Sequence, residues 1–180
     1  MDTANSAHYD RCTIVLHWLT AILVVGLFAL AEIWAFLPRG TPTRKLLQSL
    51  HVSFGLAFAA VLLVRIVWRL SAGRRLPRAS GGLPGLAAVG AHFLLYALMA
   101  AQVVLGFLFR WAQGEPFSFF GLFDVPTLIP LSRDVRHFYG DLHNTVAWCI
   151  IVLAGLHACA ALWHHYMMRD GVLRRMTSGG

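Results

Sequence analysis

Charge is what this sequence has least of. Only 13% of its 180 residues are Asp, Glu, Lys or Arg, and eight are acidic, whereas a soluble domain carries about a quarter charged residues. That shortage excludes an ordinary soluble globular protein. Cysteine is scarce as well, limited to Cys12, Cys149 and Cys159. Cys149 and Cys159 stand about 15 Å apart along one helix, too far to bridge. No CxxC or CxxCH spacing occurs, which leaves out a disulfide framework and cysteine-linked cofactor attachment. The basic residues flank apolar segments and form no patch, so no nucleic acid is expected as a partner. No repeat or broken apolar segment offers alternating-access machinery, which argues against a transporter. The first apolar segment is too long for a signal-peptide core and no small-residue cleavage site follows it, so it is expected to stay in the mature chain.

What the sequence has in abundance is apolar length: 58% of it is hydrophobic. Four segments stand out, about 12–37, 46–70, 83–109 and 140–168. Each reaches the ~20 residues that cross a bilayer, and backbone in lipid must satisfy itself, so each reads as a helix. The expectation is an all-α fold, an integral membrane four-helix bundle in membrane lipid, with residues 1–180 forming a single domain. Pro38–Pro42 and Ser71–Gly85 read as turns. Residues 111–130, rich in aromatics, glycine and proline, are too broken for a span and are expected on the outer interface. Nine basic residues (Arg11, Arg65, Arg69, Arg74, Arg75, Arg78, Arg169, Arg174, Arg175) fall on the side of the termini, against six (Arg39, Arg44, Lys45, Arg110, Arg133, Arg136) on the other. The positive-inside bias therefore puts both termini in the cytoplasm.

The last segment carries His143 and His157, fourteen residues apart. On a helix that spacing is about 40° short of four turns and about 21 Å of rise, so two imidazoles point one way at two depths. A polar ionisable group in hydrocarbon needs a partner. His51 enters the second segment at the outer depth of His143, and His17 the first at the inner depth of His157. Two pairs of facing histidines in an apolar bundle point to two b-type haems, since neutral imidazole is an axial ligand for haem iron. Gly55, one turn from His51, gives room for a flat ring or serves helix packing. Arg65, fourteen residues after His51, is placed for a haem propionate or for snorkelling to the inner surface. His92 lies at the inner depth, where it competes as a ligand but is expected rather to hydrogen-bond a propionate or another helix. His137 precedes the last span and reads as a solvated residue.

Leu16-His17-Trp18, His51-Val-Ser-Phe-Gly55, Val64-Arg-Ile-Val-Trp-Arg-Leu70, His92-Phe-Leu-Leu-Tyr96, Asp141-Leu-His143 and Leu156-His-Ala-Cys-Ala-Ala-Leu-Trp-His-His-Tyr166 together resemble the bacterial cytochrome b561 family, and are most similar to its short superoxide oxidase members. The resemblance covers nearly the whole chain. It implies a bacterial inner-membrane dihaem cytochrome b with iron ligands at His17, His51, His143 and His157, periplasmic superoxide as electron donor and ubiquinone as acceptor. The reaction is then that of a superoxide:quinone oxidoreductase. Superoxide would be drawn to an electropositive outer mouth made by Arg39, Arg44, Lys45, Arg110, Arg133 and Arg136. His164, seven residues after His157 and about 10 Å further inward, is placed to hydrogen-bond a quinone carbonyl; His165 points about 100° away. The competing reading is an electron-transfer subunit passing electrons between a periplasmic dehydrogenase or hydrogenase partner and the quinone pool. A non-catalytic haem carrier is a third.

Overall fold

The structure, a computed structural model, describes residues 8–77, 81–114 and 116–177. The polar residues 1–7, and Arg78 of the inner cations, lie outside the described residues. Four long helices dominate: α1 (Arg11–Ala35), α2 (Pro42–Ser71), α3 (Gly82–Gln113) and α4 (Arg136–Trp163). All four are long and apolar enough to cross a membrane, and they carry outward faces such as Val15, Ile22, Leu63 and Val152 that suit lipid. Relative to the spans read from sequence, α2 and α4 each begin four residues earlier. Their extra turns carry the polar and basic residues that lift a helix end out of hydrocarbon.

The ends are fixed by local chemistry. Asp10 caps α1, accepting from the Thr13 N–H at 2.8 Å and the Thr13 hydroxyl at 2.7 Å. The same carboxylate accepts from Trp68 Nε1 and from the Arg74 N–H, each at 3.0 Å, so it also ties the start of α1 to the end of α2. Pro42 opens α2 at a position where a missing N–H costs nothing. Arg44 Nη1 donates to the carbonyls of Trp34 and Leu37, which the end of α1 leaves without helical partners. Gly114 ends α3 in the left-handed region at φ +69°.

α1 packs closely along α2 and α3 along α4, whereas contact between the two pairs is sparse. What joins the pairs is a mid-depth cluster of Phe58 and Leu62 from α2, Met99 from α3 and Ile150 from α4, with Leu23, Val24 and Leu27 of α1 against it. Ile150 is seven residues from His143 and seven from His157, so the cluster sits midway between the two histidine levels. The end of the bundle with the 36–41 and 114–135 connections is called the loop end below, and the other the terminal end.

Two features depart from a purely helical reading. Phe117–Phe119 (β1) and Phe123–Val125 (β2) pair antiparallel, Phe117 opposite Val125, around positive φ angles at Phe120 (+49°) and Gly121 (+72°). The hairpin lies against α2 through Ser53, which is 1% exposed and whose Oγ accepts from the Phe120 N–H at 2.9 Å and donates to the Ser118 carbonyl at 3.3 Å. At the other end α4 widens into a π-helical turn, His164–Met168. Arg169 then reverses the chain at φ +52°, and the short helix Leu173–Met176 returns to α1, where the Met176 carbonyl accepts from Trp18 Nε1 at 2.8 Å.

Candidate functional site

At the loop end the rings of His51 (α2) and His143 (α4) face each other with centroids 6.3 Å apart and planes at 74°. His51 Nδ1 lies 3.0 Å from the Leu27 carbonyl. A carbonyl only accepts, so the ring proton sits on Nδ1 and Nε2 keeps its lone pair, the tautomer a metal ligand needs. His143 Nδ1 is buried beside the Gln102 backbone without a well-aligned hydrogen bond. Gly106 lets the ring lie against α3: a methyl there would meet His143 Cε1 at 3.4 Å. No atom lies within 4 Å of where a Gly55 Cβ would stand, so that face of α2 is open space beside His51 and no neighbouring helix packs there.

At the terminal end His17 (α1) and His157 (α4) repeat the arrangement, with centroids 6.3 Å apart and planes at 68°. His92 joins them, its ring 5.0 Å from that of His157, with Nδ1 donating at 2.7 Å to the Ala88 carbonyl of its own helix. Arg65 reaches in from α2, its Nη2 donating to His17 Nδ1 at 3.0 Å and its guanidinium 5.0 Å from the Tyr96 ring centre. Sequence had offered Arg65 a propionate or the membrane surface; in the folded chain it turns inward onto a histidine.

These pairs fit the iron of a haem. Two imidazoles whose nitrogens each lie about 2 Å from one metal have centroids about 6 Å apart, as both pairs do. Each pair would offer a haem iron two imidazole nitrogens; among the described residues no cluster of three or more His, Cys, Asp or Glu could enclose a bare ion.

The other singled-out residues fall in two places. His164 lies in the π-helical turn with Nδ1 hydrogen-bonded to Asp170 Oδ2, a partner that sequence reasoning missed because it arises from the chain reversal at Arg169. That hydrogen bond, from a residue at the bundle's edge, holds the Asp170 carboxyl below its ordinary range. His165 has only Tyr166 against its ring, at 4.8 Å. At the loop end Arg39, Arg44, Arg136 and His137 line one cavity of about 520 Å3. His137 is exposed, as read from sequence, and lines this cavity with Arg136 Nη2 3.3 Å from its Nε2. Arg110 and Arg133 are placed elsewhere: Arg110 serves Gln113 and Pro116, and Arg133 packs over Gly114.

Four membrane-crossing helices with facing histidines at two levels are what an electron-transfer membrane protein of the cytochrome b class requires. The chain belongs to the prokaryotic cytochrome b561 family, which it matches over residues 8–179. It is 34% identical over 175 residues to "Cytochrome b561 homolog 2" of Escherichia coli (strain K12), covering 97% of this chain and 93% of that protein. It is 31% identical over 170 residues to "Probable superoxide oxidase CybB" of Yersinia pestis, covering 93% and 94%. A third relative, "Cytochrome b562" of Cereibacter sphaeroides, is 30% identical over 173 residues, covering 93% and 94%. The family makes this a bacterial haem-b membrane protein of electron transfer.

Proposed function

We propose that the protein oxidises superoxide at the loop end and reduces ubiquinone at the terminal end. The loop end then faces the periplasm and both termini the cytoplasm, and residues 1–180 act as one dihaem domain. The observation that carries the reading is the repetition of one motif at two depths: facing histidines 6.3 Å apart at each level, fourteen residues apart on α4. His51 with His143, and His17 with His157, would each hold one haem b. The bound haem supplies one-electron chemistry at iron; the work of the chain is to orient, insulate and neutralise.

The Leu27 carbonyl holds His51 in the ligating tautomer. His17 would hold iron through Nε2 with its proton on Nδ1, the nitrogen to which Arg65 donates here, and the Arg65 guanidinium would then be available to a carboxylate of the cofactor. The mid-depth cluster of Phe58, Leu62, Met99 and Ile150 keeps water and ions from passing between the levels. Arg39, Arg44 and Arg136 gather superoxide at the mouth. Each superoxide leaves as dioxygen after giving up one electron, and the quinone takes two electrons and two protons. His164, in the π-helical turn that follows α4, would donate from Nε2 to a quinone carbonyl as an imidazolium whose Nδ1 donates to Asp170 Oδ2. The relative named as a probable superoxide oxidase supports the choice of donor.

The test is the visible spectrum of purified protein while superoxide is generated enzymatically, with and without ubiquinone. A b-type α-band should grow, vanish with superoxide dismutase and be drained by quinone. A band reducible by dithionite but indifferent to superoxide would replace this reading with the partner-fed electron-transfer subunit.

A further inference from the structure

The loop-end cavity is larger than the anion that the reading above brings to it. Its volume of about 520 Å3 is that of a small-molecule site, while superoxide has two atoms. Its walls are cationic. Arg39 comes from the connection before α2, Arg44 from the first turn of α2, and Arg136 and His137 from the start of α4; Asp141 is the one acidic group among the lining residues. Arg44 is anchored by its Nη1 bonds to the end of α1, which fix the guanidinium without neutralising it. Among the described residues Arg39 makes no hydrogen bond or ion pair. Guanidinium groups present planar forks that match the paired oxygens of carboxylates and phosphates, a geometry a diatomic anion does not need.

The floor fixes where an occupant would lie. Gln48 is three residues before His51 and Gly140 three before His143, so the cavity opens one helical turn above the loop-end histidine pair. Phe109 lines the cavity beside Gly140 and packs onto it, since a Cβ there would come within 3.0 Å of Phe109 Cε2. An occupant would rest on that ring, apart from the histidines, and cover the approach to them.

We propose that this cavity binds a small oxyanion group, phosphate or carboxylate, through Arg39, Arg44 and Arg136, and that its occupancy governs access to the loop-end histidine level. Binding stands on the cavity alone and does not require superoxide to be the electron donor. A free anion and the phosphate of an anionic lipid headgroup offer the same chemistry, and the experiment separates them.

Full-length, haem-loaded protein in neutral detergent is titrated with inorganic phosphate, and with chloride at matched ionic strength, while thermal unfolding is followed. Phosphate should raise the unfolding temperature saturably, with half-saturation on the order of 1 mM, and chloride should not. Arg39→Gln and Arg136→Gln should each weaken phosphate about tenfold, the loss of a charge-assisted hydrogen bond. Arg39→Lys, which keeps the charge but loses the fork, should fall between, and Arg11→Gln at the opposite end should change nothing. Repeating the titration in nanodiscs of phosphatidylcholine with and without phosphatidylglycerol assigns the source. A phosphate response that anionic lipid abolishes means the headgroup is the occupant, and one that survives means a free anion is. Absence of a phosphate-specific response in every medium, or an equal response in the Arg39→Gln and Arg136→Gln variants, overturns the proposal. Superoxide-driven reduction is recorded on the same samples, so a protein that binds phosphate and ignores superoxide sinks only the donor assignment.

Discussion

Ser53→Ala removes one oxygen and should unlatch the hairpin from the bundle. Ser53 is buried and its Oγ takes the Phe120 N–H at 2.9 Å and gives its own hydrogen to the Ser118 carbonyl at 3.3 Å. Alanine fits the space but leaves both backbone groups unpaired. An orphaned buried donor costs about 1–3 kcal/mol, and the longer bond to Ser118 adds little, so the docked hairpin should lose about 2 kcal/mol. Phe120 makes the loss felt locally, because a non-glycine residue at φ +49° is held there against about 1 kcal/mol of steric cost. Two kcal/mol corresponds to about a 30-fold change in a local equilibrium. Amide hydrogen exchange across Phe117–Val125 should therefore quicken about 30-fold, while exchange in the short helix Leu173–Met176 at the opposite end of the bundle stays as it was. The packing of Phe54 on Phe120, with centroids at 5.2 Å, would be released together with the latch. Unchanged protection at Phe120 would refute the claim that Ser53 holds the hairpin.

Three further outcomes are expected. His51→Ala and His143→Ala should each halve the haem content and spare the terminal-end signal; a spectrum retaining both haems in either variant would break the pairing. His164→Gln should slow quinone-dependent reoxidation and leave haem content alone, and an unchanged rate would remove His164 from the quinone site. At Asp10, burial raises the carboxyl's pKa, but the hydrogen bonds from Thr13, Arg74 and Trp68 outweigh it and hold the group well below its usual range. Its stabilisation is therefore complete above the unfolded value near 3.9 and is lost as pH falls through the depressed folded value. Asp10→Ala, which also removes an N-cap worth about 1 kcal/mol, should lower the unfolding temperature at neutral pH and flatten its decline in acid. A parallel decline in both proteins would count against the assignment.

The four helices were legible because lipid imposes a simple rule on apolar length, and the depths of His17, His51, His143 and His157 followed from rise per residue alone. The hairpin was not legible. Phe117–Val125 alternates poorly, and its docking depends on Ser53, 65 residues away from Ser118, which no local pattern announces. The π-helical turn at His164 and the partnership with Asp170 escaped for a related reason, since both depend on the left-handed residue Arg169, a position usually given to glycine. Arg65 illustrates a limit of depth arguments: its level was read correctly, but a long side chain can turn to the surface or inward, and only the neighbouring elements decide. His137 is exposed, as the sequence indicated, but its place before the span could not show that it shares a cavity with Arg39 and Arg44.

The arrangement of the helices as two close pairs with little contact between them has a consequence for biogenesis. Each pair joins helices consecutive in sequence, α1 and α2 through the short 36–41 connection and α3 and α4 through the longer 114–135 one, and can enter the membrane and assemble as synthesis proceeds. The seam between the hairpins is closed by the mid-depth cluster and by the histidines, whose partners lie up to 140 residues apart, from His17 to His157. Closure must therefore wait until α4 is inside the bilayer. With the proposed ligand pairs, cofactor capture would fall at that moment, when the last helix brings His143 and His157 to His51 and His17. A chain stalled before α4 would keep the Arg65–His17 and His51–Leu27 hydrogen bonds of the first pair but leave both rings without the facing His157 and His143, and would present quality-control proteases with ionisable groups that the finished bundle encloses.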